Sequence, residues 1–273
     1  MYLDHWNLSS LPFEPVSEGA GLFPCEAHEG ALLKLRYAIE QERGAALLAG
    51  PAGTGKTTLT RALESQLDAR FSPFVRLVFP QMSSRDLLVY LAEELGAPPA
   101  DPPRHTVEES VRRLEFYLAQ NAHLDRHAVV VVDEAHLLED CGALETLRLL
   151  LNFEVDARPT LSLLLVGQMG LVSAVGRLPS LADRVAVSTL LRAFTPEETK
   201  DYVEHRLRAA GASREIFTPD ALEALHYFGH GIPRQINRLA DLALLVGFAD
   251  RLGMLSAEQI EAVSEELVAV ASH

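Results

Sequence analysis

The chain has 273 residues, of which 48% are hydrophobic, enough for one large domain or two of ordinary size with a sizeable core. Its formal net charge is −14, from 38 acidic and 24 basic residues, which argues against nonspecific DNA binding without excluding a local basic patch and favours protein partners. The two cysteines lie far apart, so we expect neither a disulfide nor a zinc site, as is usual in the cytoplasm. No basic leader precedes an apolar stretch, and no apolar run approaches about 20 residues. We therefore expect no signal peptide and no membrane span, and a cytoplasmic protein.

Short apolar runs alternate with stretches of helical periodicity through most of the chain. We predict helices over 28–41, 56–69, 84–95, 107–122 and 144–151, strands over 45–49, 75–79, 128–132, 161–166 and 185–187, and a Pro-rich loop over 97–103. Strands that are separated by helices pair in parallel, and helices cover both faces of such a sheet. The fold class is therefore predicted as α/β.

The character of the sequence changes after Leu191, where no further strand-like run appears. Thr195-Pro196-Glu197-Glu198 combines an N-cap threonine, a proline at the first helical position and a glutamate placed for a capping box. The segments 218–220 and 256–259 show similar patterns of residues at predicted helix starts. We predict a small all-helical domain over 193–273.

The segment 50–57 carries a phosphate-binding pattern. It fits G-x-x-x-x-G-K-[ST] and follows a predicted strand directly before a predicted helix. Glycines let backbone N–H groups face the phosphates of ATP, and the helix N-terminus favours an anion. Lys56 is expected to reach the β- and γ-phosphates, and Thr57 to ligate Mg²⁺. The expected nucleotide contacts are Gly50, Pro51, Ala52, Gly53, Thr54, Gly55, Lys56, Thr57 and Thr58. A chance match at a glycine-rich turn is the alternative.

A second motif ends the predicted strand 128–132 with adjacent carboxylates. A buried strand delivers such residues to its carboxyl end, the edge where ligands bind in open α/β sheets. Asp133 is expected to hold Mg²⁺, directly or through water, and Glu134 to activate the attacking water. The alternative is that Asp133 and Glu134 are solvated acids at a strand end, without a functional role. His136 is either a proton relay or, more commonly for such a position, a hydrogen-bonded surface or packing residue.

Several segments together resemble, nearly end to end, the AAA+ ATPases of the ExeA/GspA (general secretion pathway protein A) type. The segments that carry the resemblance are Met1-Tyr2-Leu3-Asp4-His5-Trp6 with Pro12-Phe13, residues 28–37, Leu147-Arg148-Leu149-Leu150 with Asn152-Phe153-Glu154, Leu165-Val166-Gly167-Gln168, His205-Arg206-Leu207 with Ala210-Gly211, and Gly231-Ile232-Pro233-Arg234 with Ile236-Asn237. The resemblance implies an N-terminal arm over 1–27, an AAA+ nucleotide-binding domain over 28–192 and a helical lid over 193–273.

The same resemblance implies roles for residues outside the two motifs. Gln168 looks like a sensor of the γ-phosphate or of the water, with a capped strand end as the alternative. Arg184 looks like the finger that one subunit inserts into its neighbour's site; a surface salt bridge is the alternative and Arg177 the rival candidate. Arg234 looks like the lid's sensor arginine, aimed at the phosphates, with a solvated arginine as the alternative.

The resulting hypothesis is a homo-oligomeric, Mg²⁺-dependent ATPase that drives or regulates assembly of a secretion or envelope system, such as a pilus or exopolysaccharide apparatus, through a protein partner. The first alternative is an ATP-dependent DNA-binding regulator of the transposition type. The net negative charge of the chain disfavours this alternative. The second is a protein that binds ATP and barely hydrolyses it. A helicase is disfavoured because we find no second Arg-rich helicase motif downstream of Asp133-Glu134-Ala135-His136, and the predicted all-helical segment leaves no room for a second motor domain.

Overall fold

The computed structural model describes residues 2–14, 23–99 and 106–271. They form two compact units. The α/β unit comprises residues 26–50 and 56–191, and the helical unit comprises residues 2–14, 23–25, 51–55 and 192–271. The predicted arm over 1–27, loop over 97–103 and lid over 193–273 each lie partly outside the described residues. No helix within the described ranges is both long and apolar enough to cross a membrane.

The α/β unit is built on a five-stranded parallel sheet in the order β2-β3-β6-β1-β7. Its strands are β1 (Ala45–Ala49), β2 (Phe74–Leu77), β3 (Ala128–Val132), β6 (Leu161–Gly167) and β7 (Val185–Leu190), and a separate antiparallel hairpin pairs β4 (Glu154–Val155) with β5 (Arg158–Pro159). Every residue of the three central strands is buried, as a sheet covered on both faces requires. The predicted α/β class is confirmed.

Helices flank this sheet and alternate with its strands along the chain. They are α2 (Glu26–Glu40), α3 (Lys56–Gln66), α4 (Ser84–Glu94), α5 (Val107–His123), α6 (Ala143–Leu150), α7 (Gly170–Gly176) and α8 (Pro179–Ala182), together with a 3₁₀ helix over Ala135–Cys141. The main core packs α4 and α5 against one sheet face, through residues such as Leu91, Leu118 and Val130. The 3₁₀ helix, α7, α8 and the hairpin were not predicted because segments this short carry no measurable periodicity.

One buried polar contact lies near the amino-terminal ends of the strands. The Nε2 atom of His127 is 2.9 Å from the Oγ atom of Ser162, and both side chains are buried. Burial lowers the pKa of His127 to about 4, because desolvation penalises the charged imidazolium. His127 is therefore neutral at physiological pH, and its hydrogen bond satisfies a polar group inside the core.

The helical unit contains α1 (Leu3–Trp6), α9 (Pro196–Ala209), α10 (Pro219–Gly229), α11 (Pro233–Ala249) and α12 (Ala257–Ala271). The predicted capping box at Thr195 and Glu198 is confirmed. The other two helix starts differ from it. Thr218 makes no side-chain cap and donates its hydroxyl to the Leu255 carbonyl oxygen at 3.0 Å, whereas the Gln259 side chain accepts from the backbone N–H of Ser256 at 2.9 Å.

Residues 2–14, here called the arm segment, pack within the helical unit. Trp6 is fully buried, and its Nε1–H donates to the Leu244 carbonyl oxygen at 3.0 Å. The Tyr2 hydroxyl donates to Asp241, and the His5 Nε2 atom lies 2.8 Å from the Leu252 carbonyl oxygen. These contacts join the arm segment to α11 and the turn that follows it.

Candidate functional site

The phosphate loop, residues 50–57, connects β1 to α3. The Gly50 N–H donates to the Gly167 carbonyl oxygen at 3.2 Å, so the loop starts beside the carboxyl end of β6. Gly53 and Gly55 have φ values of 84° and 93°, in the left-handed region that glycine adopts without a steric penalty. This backbone shape, followed by a helix N-terminus, is the arrangement that binds phosphate.

Arg234 lies at the start of α11, behind Pro233, and its backbone contacts the loop residue Gly53. The Arg234 N–H donates to the Gly53 carbonyl oxygen at 3.3 Å. A Cβ atom added at Gly53 would lie 2.8 Å from the Cβ atom of Arg234 and 3.0 Å from a methyl carbon of Ile232. Gly53 is thus required both by its φ and by this close approach. The Arg234 side chain is exposed.

Lys56 is the first residue of α3 and is only 6% exposed. Its Nζ atom donates to the Gly50 carbonyl oxygen at 2.9 Å, so the ammonium group curls back over the loop. A buried ammonium needs compensating acceptors, and the phosphates of a nucleotide would supply stronger ones than a neutral carbonyl. The next residues, Thr57 and Thr58, are exposed.

The structure brings together the two predicted metal ligands. Asp133 follows β3, and its N–H donates to the Leu77 carbonyl oxygen at 2.9 Å, which extends the ladder by one bond. The Thr57 hydroxyl donates to the Oδ2 atom of Asp133 at 2.9 Å. One hydroxyl and one carboxylate oxygen at this separation fit the all-oxygen ligand set that Mg²⁺ prefers, with water filling its remaining positions.

Glu134 adopts an unusual backbone conformation directly after the metal ligand. Its φ and ψ are 51° and 34°, in the left-handed region that few non-glycine residues occupy. The Glu134 N–H donates to the Oδ1 atom of Asp133 at 2.9 Å, and the Glu134 side chain is 46% exposed. Left-handed conformations of this kind concentrate at functional sites, where they set the direction of a side chain.

Gln168 follows β6, whose neighbour in the sheet is β3. Parallel strands present their carboxyl ends at one edge, so Gln168 shares the edge of Asp133 and Glu134. The Gln168 N–H points to the Nδ1 atom of His136 at 3.4 Å, and the same atom lies 3.4 Å from the Oε2 atom of Glu134. From sequence, His136 is either a proton relay or a hydrogen-bonded surface or packing residue. Its position between the two strand ends brings its Nδ1 atom near Glu134.

The two arginine finger candidates lie elsewhere in the α/β unit. Arg184 donates to the Leu151 carbonyl oxygen at 2.9 Å and to the Oδ1 atom of Asn152 at 2.6 Å, which directs its guanidinium to the end of α6. Arg177 is exposed and follows α7. Within one chain, therefore, Arg184 makes contacts that stabilise the end of α6.

Residues 39–175 match the AAA domain family. Over 253 residues the chain is 36% identical to the general secretion pathway protein A of Aeromonas hydrophila; the match covers 91% of this chain and 45% of that protein. The chain thus spans about half the length of this relative. These matches show that the chain belongs to the AAA+ ATPases. Within that class it is of the ExeA/GspA type, as the resemblance predicted.

Solved structures share the fold at low sequence identity. The ORC2 protein of Aeropyrum pernix has a TM-score of 0.69 at 17% identity, with 93% of this chain and 71% of that chain covered. A Walker-type ATPase of Pyrococcus abyssi has a TM-score of 0.65 at 17% identity, with 95% and 78% covered. Drosophila ORC bound to DNA has a TM-score of 0.67 at 16% identity, with 98% and 65% covered. These likenesses support the AAA+ fold alone.

Proposed function

We propose that the chain binds ATP with Mg²⁺ and hydrolyses it to ADP and phosphate. The observation that carries this proposal is the 2.9 Å contact between the Thr57 hydroxyl and the Asp133 carboxylate, which joins the two motifs at one sheet edge. Thr57 and Asp133 would hold Mg²⁺, whose charge would offset that of the phosphates. Lys56 would exchange its bond to Gly50 for the β- and γ-phosphates.

In the proposed reaction Glu134 orients a water molecule and accepts its proton. The water oxygen forms a bond to the γ-phosphorus, and the bond from that phosphorus to the β–γ bridging oxygen breaks, which releases ADP and inorganic phosphate. Gln168, at the same edge as Glu134, would use its amide to orient the water or the γ-phosphate. We assign Arg234 to the phosphates as well, supported by its backbone bond to Gly53 of the loop.

We further propose that the active form is a homo-oligomer in which an arginine of one subunit completes its neighbour's site. Arg184 is the first candidate, and in an assembly it would leave Leu151 and Asn152 for a neighbour's γ-phosphate. Arg177, which is exposed and directly follows α7, is the rival. An arginine supplied in this way stabilises charge that develops in the transition state.

Mixing two inactive variants tests the shared site. Arg184→Ala and Glu134→Gln are each expected to release little phosphate, whereas their equimolar mixture regains roughly a quarter of wild-type activity, because some interfaces pair an intact Glu134 with an intact Arg184. The measurement is steady-state phosphate release at a concentration where wild type assembles. Arg177→Ala is mixed in parallel as the matched variant. If Arg177→Ala is inactive by itself and its mixture with Glu134→Gln regains activity, while the mixture with Arg184→Ala gains none over its components, Arg177 is the finger. If neither mixture is more active than its components, the result contradicts a site shared between subunits.

We propose that this ATPase works in the cytoplasm and drives or regulates assembly of a secretion or envelope system. The support is the 36% identity to a general secretion pathway protein A over 91% of the chain. Because fold and chemistry recur in unrelated processes, this step rests on relationship and not on site geometry. The proposed mechanism is a nucleotide-dependent conformational change that is transmitted to a protein partner and reversed after hydrolysis.

A cellular experiment tests the proposed process. In the source cell, a chromosomal Glu134→Gln substitution is expected to lower one envelope product at least tenfold, because a blocked ATPase cannot complete its assembly cycle. Secreted protein, surface pili and exopolysaccharide are measured in the same cultures, and Glu115→Gln, on the exposed face of α5, is the matched control. Wild-type amounts of all three products would contradict an envelope role.

A further inference from the structure

His136 lies between the carboxyl ends of β3 and β6, against the backbone of Gly167. A Cβ atom added at Gly167 would lie 3.1 Å from the Cδ2 atom of Leu171, 3.2 Å from the backbone nitrogen of His136 and 3.2 Å from the His136 Nδ1 atom. All three separations are shorter than ordinary van der Waals contact. The His136 side chain is 19% exposed, so the imidazole is largely enclosed where β3 and β6 end.

The Nδ1 atom of His136 faces two groups of the proposed catalytic edge. It lies 3.4 Å from the Oε2 atom of Glu134 and 3.4 Å from the backbone nitrogen of Gln168. Both distances exceed the usual hydrogen-bond range of about 2.7–3.2 Å, so neither contact is at full strength. A small rotation of the ring would shorten one of them.

A single ring nitrogen can make only one of these hydrogen bonds at a time. With a proton, Nδ1 donates to the Glu134 carboxylate; without one, it accepts from the Gln168 N–H. The imidazole therefore has a hydrogen-bond partner whether or not it donates to the Glu134 carboxylate. Glu134 itself is half exposed and carries a left-handed backbone, so its carboxylate needs an anchor to keep one orientation.

We infer that His136 is a positioning residue for Glu134: its Nδ1–H holds the Glu134 carboxylate at the angle from which it activates water. This inference rests on the proposed ATP hydrolysis. It assigns His136 no contact with the nucleotide, so its loss changes the rate of the chemical step and leaves nucleotide affinity unaltered. Misplacement of a catalytic group by about 1 Å costs up to roughly a hundredfold in rate, which sets the upper limit of the effect.

Two conservative substitutions separate positioning from packing. The amide nitrogen of asparagine is bonded to Cγ, as Nδ1 of histidine is. It can donate to the Glu134 carboxylate while the amide oxygen accepts from the Gln168 N–H. The amide of glutamine is one bond further out and reproduces Nε2 instead. We expect kcat for ATP hydrolysis within about threefold of wild type in His136→Asn and about tenfold lower in His136→Gln. The KM and the Kd for ATP stay unchanged in both.

A second pair of variants leaves His136 in place. Gly167→Ala adds a methyl group in tight contact with Leu171 and with the backbone nitrogen and Nδ1 atom of His136, and we expect it to shift the imidazole. The kcat is then expected to fall about tenfold with Kd for ATP retained. Gly170→Ala is the matched control, because no atom lies within 4 Å of a Cβ added there. Far-UV circular dichroism and ATP affinity establish that each variant is folded.

The outcomes distinguish this inference from the proposed function. Equal kcat values in His136→Asn and His136→Gln, or a wild-type kcat in Gly167→Ala, would overturn the positioning role. A rise in KM or Kd with kcat unchanged would overturn it as well, since that pattern belongs to ground-state binding. Absence of phosphate release by the wild-type protein would instead contradict ATP hydrolysis itself.

Discussion

Lys56→Met is expected to raise the Kd for ATP about a hundredfold, a loss of about 2.7 kcal/mol of binding free energy. The Lys56 ammonium is nearly buried, and its bond to the Gly50 carbonyl oxygen keeps it over the loop where the phosphates of ATP would bind. Methionine has a similar length and no charge, so it fills the same space without the donor. The fold is preserved, because an apolar side chain pays no desolvation penalty at a buried position.

The measurement for Lys56→Met is a titration with a fluorescent ATP analogue in the presence of Mg²⁺, followed by phosphate release at saturating ATP. Lys34→Met is the matched control, because Lys34 is exposed on α2 and belongs to neither motif. A Kd within twofold of wild type would show that the loop does not bind the phosphates through this lysine.

Glu134→Gln is expected to lower kcat for phosphate release by about three orders of magnitude, within the range of 10²–10⁴ associated with general-base catalysis. The amide cannot accept the proton of the attacking water, although it retains the size and the hydrogen-bonding oxygen of the carboxylate. ATP affinity stays at the wild-type value because the proposed ligands of phosphate and metal, Lys56, Thr57 and Asp133, are intact.

Single-turnover phosphate release separates this effect from a change in binding or product release. Glu115→Gln, which removes an exposed carboxylate from α5, should hydrolyse ATP at the wild-type rate. If Glu134→Gln retained more than half of wild-type kcat, another group would have to activate the water. A parallel loss of ATP affinity would instead indicate that Glu134 acts through the metal or the loop.

The sheet could be predicted from sequence because its signals are local. The apolar runs of β1 and β3 are bounded by Gly44 and Asp133, and both strands have the predicted limits, Ala45–Ala49 and Ala128–Val132. The last strand, β7, extends three residues beyond its predicted end. It lies at a sheet edge, where the polar residues Ser188 and Thr189 continue the ladder beyond the apolar residues.

Contacts between residues distant in sequence could not be predicted in the same way. The Thr57–Asp133 bond follows from two motifs whose joint position is fixed by the class of fold, and this made it predictable. Nothing in the sequence near Arg184 indicates that its guanidinium reaches Asn152. His136 likewise acquires its partners only when β6 pairs with β3, so its neighbours in sequence gave no evidence for a contact with Gln168.

The packing of the arm segment has a consequence for the order in which the chain folds during translation. Trp6 and its partner Leu244 are 238 residues apart, which at 5–20 residues per second corresponds to roughly 12–48 s of synthesis. The α/β unit is complete in the growing chain once Leu191 has been made, before synthesis of α11 begins at Pro233. Until α11 has been made, Trp6 is therefore an apolar side chain without the helix that buries it in the native structure.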